Sequence, residues 1–210
     1  MKLSCQRNIK RLLLAMLAAT SPTWQSGVVH AEDASGNNIV VTENNTDSGI
    51  YGGRADSDNG TASNNTVTVN SGNFTWIYGG EGQHALNNQV IIRGGIVRNI
   101  YGGMGVITIN NNGIGNQIRG NIVTISGGTI IGEVSAGALA FDYKPGSYTN
   151  SFVTENVINI YGNPDLSNAT LSGAWNNYGN KSDHNNILNL AVPITAKNIS
   201  YFGTLNFFIP

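Results

Sequence analysis

One tetrapeptide returns three times in this chain: Ile50-Tyr51-Gly52-Gly53, Ile77-Tyr78-Gly79-Gly80 and Ile100-Tyr101-Gly102-Gly103. A second phrase, Asn-x-apolar-x-apolar, falls between the copies, as in Asn65-Thr66-Val67-Thr68-Val69 and Asn88-Gln89-Val90-Ile91-Ile92. The same words in the same order imply a stacked repeat, in which each unit buries its apolar face only against its neighbours. Few other features could constrain the fold as tightly.

The second phrase continues beyond the first. Asn121-Ile122-Val123-Thr124-Ile125, Asn156-Val157-Ile158-Asn159-Ile160 and Asn186-Ile187-Leu188-Asn189-Leu190 keep it, while the tetrapeptide degrades into Ile131 to Gly137. Successive Asn residues from Asn65 onward lie 23, 33, 35 and 30 positions apart. The unit stretches by taking up loops such as 138–150. Within each phrase the apolar residues alternate, Val67 with Val69 and Val90 with Ile92. Period two is the strand signature, with one face buried. β-Branched side chains suit that face. The Gly-Gly pairs predict turns or close backbone approach, and Ile-Tyr-Gly-Gly reads as the closing corner of each coil, with Ile inside and Gly-Gly turning.

These readings predict an all-β parallel β-helix, a β-solenoid of about six coils. Rungs about 4.8 Å apart would give a stack of roughly 25–30 Å. Asn65, Asn88, Asn121, Asn156 and Asn186 would align at one corner, where each amide can bond the next. Tyr51, Tyr78 and Tyr101 would line an edge, as packing or as a platform for sugar rings. An antiparallel sandwich or barrel also uses short alternating strands and Gly turns. It gives no reason for the phrases to return in order.

Charged residues are only 11% of the chain, against about 25% in an average domain. Four of the eleven Lys and Arg residues, Lys2, Arg7, Lys10 and Arg11, crowd the N-terminus, leaving seven against twelve acidic residues in the body. A mildly acidic body argues against nucleic acid, whose phosphates need a basic footprint. The basic residues precede an apolar run, Leu12 to Ala19, and Val29-His30-Ala31 offers a cleavage site. Residues 1–31 therefore predict a secretory signal peptide, with 32–210 as the mature repeat domain. The run is too short for a span of about 20 residues. The only cysteine, Cys5, lies ahead of it, so the mature chain carries no disulfide.

The unit Asn-x-Val-x-Ile-x-Gly-Gly followed by Ile-Tyr-Gly-Gly resembles the repeats in passenger regions of Gram-negative autotransporters. The likeness covers about residues 38–210. The tail, Ile199 to Pro210 with Asn206-Phe207-Phe208-Ile209-Pro210, is similar to the segment that precedes the C-terminal barrel in that family. The resemblance implies type V secretion, an outer-membrane or extracellular location, and a structural or adhesin-like role. It implies as partners a host or surface glycan or protein, and an outer-membrane barrel in the full-length chain. These 210 residues contain no barrel, so the expectation is either a fragment of a longer autotransporter or a form released without an anchor. No ligand is implied, and no functional residue carries over.

Chemistry-bearing groups are sparse. Ser135 within Gly132-Glu133-Val134-Ser135-Ala136-Gly137 invites a nucleophile reading, with His84 or His184 and Asp142 as partners. A nucleophile elbow needs Gly where Glu133 stands, and a degraded repeat explains the segment. Asp56-Ser57-Asp58-Asn59-Gly60 opens like a calcium loop, but its twelfth position is Val67. A carbohydrate-active β-helix enzyme, a polysaccharide lyase or hydrolase, is the alternative function. Its candidate residues are Asp142, Lys144, Glu155, Arg93 and Arg98. The sequence assigns no catalytic, cofactor-binding or metal residue, and predicts a protein that is not an enzyme.

Overall fold

The computed structural model describes residues 30–31, 33–42, 46–55, 60–106, 115–140, 151–176 and 185–208. Residues 1–29 of the signal segment, Asp56 to Asn59, Asp142, Lys144 and His184 lie outside them, while His30 and Ala31 at the end of that segment pair with Arg54 and Ala55.

The described chain is all-β and contains no helix. Every strand pair in it is parallel. Three sheets run along the stack. The first, here the phrase sheet, has seven four-residue strands: Asn38–Val41, Thr66–Val69, Gln89–Ile92, Ile122–Ile125, Val157–Ile160, Ile187–Leu190 and Thr204–Phe207. The second, the closing sheet, includes Thr46–Tyr51, Asn73–Gly82, Ile96–Val106, Glu133–Ala140, Thr170–Ser172 and Asn198–Ser200. The third, the short sheet, joins Ala34–Ser35, Thr61–Ser63, His84–Leu86, Gln117–Arg119 and Phe152–Thr154. This is a parallel β-helix, not a closed barrel or an antiparallel sandwich.

Register explains the repeat. Val67 pairs with Val90, which pairs with Val123, then Ile158, then Leu188. These residues are fully buried, and face Ile50, Ile77, Ile100, Val134 and Leu171 of the closing sheet in one core. A lone rung has no neighbour to cover its branched side chains, so stability accrues from rung-to-rung contact and not from any unit alone. A smaller core of Ala85, Ile118, Leu139, Val153 and Ala174 lies under the short sheet. At the last rung, Leu205 and Phe207 continue the buried rows but are 48% and 64% exposed.

The two kinds of Gly pair do different work. Gly72, Gly95 and Gly128 have φ of 113°, 87° and 82°, so they turn the chain between phrase and closing sheets. The pairs in Ile-Tyr-Gly-Gly do not form that turn. Gly79-Gly80 and Gly102-Gly103 lie inside continuous strands, Asn73–Gly82 and Ile96–Val106. The expectation that this tetrapeptide turns a corner is corrected: its glycines make room. A Cβ on Gly79 would lie 2.3 Å from the Gly102 carbonyl oxygen, and one on Gly80 would lie 2.6 Å from the Asn88 amide.

The described part of the segment read from sequence as a tail, residues 199–208, supplies rungs of its own. Ile199 pairs with Leu171, and Leu205-Asn206-Phe207 pairs with Leu188-Asn189-Leu190.

Candidate functional site

The corner between the short and phrase sheets holds the predicted Asn ladder, and it extends one rung further, to Asn37. Asn65, Asn88, Asn121, Asn156 and Asn186 are each 0% exposed. The Asn88 side chain donates one N–H to Asn121 Oδ1 at 3.0 Å and the other to the Ala62 carbonyl at 2.9 Å. Its own Oδ1 accepts from the backbone N–H and the Nδ2 of Asn65. Asn121 and Asn156 repeat the pattern. A buried primary amide stays buried only when its donors and acceptor are satisfied, and this corner satisfies them. The residue just before the ladder turns left-handed at every rung: Gly36, Asn64, Asn87, Gly120, Glu155 and Asn185. The ladder is structural and offers no ligand an entry.

The outer face of the closing sheet carries the aromatic stripe. Tyr51 and Tyr78 stack with centroids 4.5 Å apart and planes 8° off parallel; Tyr78 and Tyr101 follow at 5.3 Å and 19°. Trp76 lies beside Tyr78 and Tyr101, and Trp175 tilts at 60° against Tyr101. Arg54 sits 5.5 Å over the Tyr51 ring and pairs with Glu81 at 2.7 Å. Tyr78 and Tyr101 are buried. Burial pushes the Tyr101 phenol up to about 12, with the Glu133 carboxylate adding to it. It also raises Tyr78 and Tyr51. Rings that cover one another leave little face for a sugar, so this stripe packs the sheet.

The stripe stops where its row becomes Ser135, Ser172 and Ser200. Glu133 stands beside this break. Burial raises its carboxyl to about 7, and its Oε1 has no partner. Such a group could act as a general acid near neutral pH. Glycoside hydrolysis normally needs a second carboxylate opposite the first, and Glu133's row neighbours are Asn99 and Thr170.

Ser135 and His84 do not meet as a catalytic pair. The Ser135 hydroxyl donates to the Gly137 carbonyl of its own strand at 2.7 Å. His84 lies in the short sheet, and its Nδ1 accepts the Gln117 backbone N–H at 3.1 Å. Burial lowers the His84 pKa, with Asp33 opposing. Glu155 is tied to Arg119 at 2.7 Å on the surface, while Arg93 and Arg98 are exposed. Among the described residues no group of three or more His, Cys, Asp or Glu side chains is placed to hold a metal.

Sequence reasoning missed two elements. Leu171-Ser172-Gly173-Ala174 is a worn copy of the tetrapeptide, in register with Val134 and Ser135. The triplets Ile158-Asn159-Ile160, Leu188-Asn189-Leu190 and Leu205-Asn206-Phe207 build a second amide row on the outside of the phrase sheet. The apolar-Asn-apolar pattern was the available signal.

The molecule is thus defined as a parallel β-solenoid with an internal Asn ladder. No family model matches the chain, and no curated protein or solved structure matches it.

Proposed function

We propose that the chain is an exported β-solenoid of autotransporter-passenger type, surface-displayed or secreted, with a structural or adhesin-like role. The carrying observation is the unbroken set of neutral rows along the rungs, which makes a rod able to present side chains at fixed spacing. The signal-like N-terminus and the repeat resemblance support export. The described carboxylates are dispersed, with Glu81 and Glu155 engaged by arginines. Such a surface favours presentation over polysaccharide cleavage.

Expression in a Gram-negative host tests the reading. The expected result is a mature chain beginning at Glu32, protease-accessible on intact cells or present in the medium, that increases cell adherence or aggregation. Retention in the cytoplasm with the leader intact would overturn export. Turnover of polysaccharides by the purified chain, abolished in Glu133→Gln, would establish the enzymatic alternative instead.

A further inference from the structure

A groove of about 330 Å³ lies on the outer face of the phrase sheet, lined by Thr124, Asn159, Tyr161, Asn189, Ala191 and Phe208 among others. That volume is at the lower end of small-ligand sites. Its geometry follows from rung register. Asn189 donates from Nδ2 to Asn159 Oδ1 at 2.8 Å, and Asn206 donates to Asn189 Oδ1 at 2.9 Å. Asn189 thus spends one N–H and one lone pair along the row. An amide has two of each, so a second donor and a second acceptor remain on the same group.

The walls are aromatic. The backbone N–H groups of Tyr161, Ala191 and Phe208 donate to Ile125, Ile160 and Leu190, which places the three residues at one position of successive rungs. Tyr161 and Phe208 are 43% and 65% exposed. The small Ala191 between them leaves a gap about two rung spacings wide, roughly 10 Å. No lining residue is charged.

We infer that this groove binds a neutral carbohydrate chain, with Asn159 and Asn189 contacting hydroxyls and Tyr161 and Phe208 flanking the sugar rings. Hydroxyls both donate and accept, as the free halves of these amides do. The apolar C–H face of a pyranose suits an aromatic wall. A uronic-acid polymer would find no cation here. An extended peptide docks by pairing with an open strand edge, and the groove lies on a sheet face. The inference rests on the adhesin-like reading and names the ligand class that reading lacks.

The test is calorimetric titration of the purified mature chain with neutral β-linked hexose hexamers and, separately, with uronic acid hexamers. The expected result is binding of the neutral series only. Tyr161→Ala and Phe208→Ala should each weaken it about tenfold, as loss of an aromatic platform would. Ala191→Trp should fill the gap and abolish it. Both aromatic side chains are exposed, so their removal leaves the fold intact, which circular dichroism verifies. Absence of neutral binding, preference for the acidic series, or binding untouched by Tyr161→Ala and Ala191→Trp would each overturn the assignment. Cell adherence that persists without oligosaccharide binding would overturn the groove and leave the adhesin-like role standing. Failed surface display with the groove still binding would do the reverse.

Discussion

The backbone of Gly80 rests directly against the side-chain amide of Asn88, so closely that a Cβ there would fall 2.6 Å from its Cγ and Nδ2. Gly53 has the same relation to Asn65, Gly103 to Asn121, and Gly137 to Asn156. The two recurring phrases are thus one device. The tetrapeptide's second glycine clears the space that the ladder Asn fills.

Gly80→Ala should therefore cost about 3 kcal/mol, the upper range for overpacking a core. Gly36→Ala is the control. Gly36 has φ of 73° and open space around its Cα, so only left-handed strain of about 1 kcal/mol remains. Urea midpoints of the two variants should differ in that order. Equal midpoints would mean that the ladder amide yields easily.

Asn121→Ala should strand the Asn88 backbone and side-chain N–H groups and the Ala85 carbonyl. At about 1–3 kcal/mol per buried unsatisfied group, most of the stability of the central rungs is at risk. Asn121→Asp should rescue little. A carboxylate accepts from Asn88 but faces Ala85 O and Asn156 Oδ1 without a proton to give. Hydrogen exchange should show lost protection spreading from this rung. Protection equal to wild type in Asn121→Asp would refute the donor role.

Glu133 gives a pH signature. Its folded pKa of about 7 exceeds the ordinary glutamate value, so the folded state holds the proton more tightly. Its contribution is fully present below about pH 4.5 and is lost as pH rises to about 7. Allowing for solvent around a partly open side chain, the loss is roughly 1–2 kcal/mol. Glu133→Gln should be the more stable protein at pH 8, and its advantage should vanish near pH 4. His84 titrates with the opposite sign in both proteins, so the difference between them isolates Glu133. An advantage independent of pH would contradict this account.

Glu155 occupies the left-handed corner with φ of 58°, where other rungs use Gly or Asn. Glu155→Asn should relieve strain of about 1 kcal/mol, less a few tenths for the exposed Arg119 pair. The net gain should grow when Arg119 is already Ala. Thermal melts of the four-member cycle measure it. A net loss in the Arg119→Ala background would show that the strain is not there.

Much of this molecule could be read from its sequence, because rungs that stack in register repeat the same side-chain requirement. Alternation at Val67 and Val69 fixed which face is buried, and Asn65 to Asn186 marked one corner. The degraded rungs were harder. Leu171-Ser172-Gly173-Ala174 keeps only the volume and inward pattern of Ile-Tyr-Gly-Gly, and volume is legible only against a neighbour.

Of the Ile-Tyr-Gly-Gly phrase, the sequence by itself determined that Ile points inward and that glycine is required. Only the tertiary structure decided why. Identical Gly-Gly pairs turn the chain at Gly94-Gly95 and clear an amide at Gly79-Gly80. The difference lies in contacts between rungs 23 to 35 residues apart, which no local pattern records. The outer groove has the same origin. Tyr161, Ala191 and Phe208 are unremarkable in the chain, and become two walls and a gap only when successive rungs set them in line.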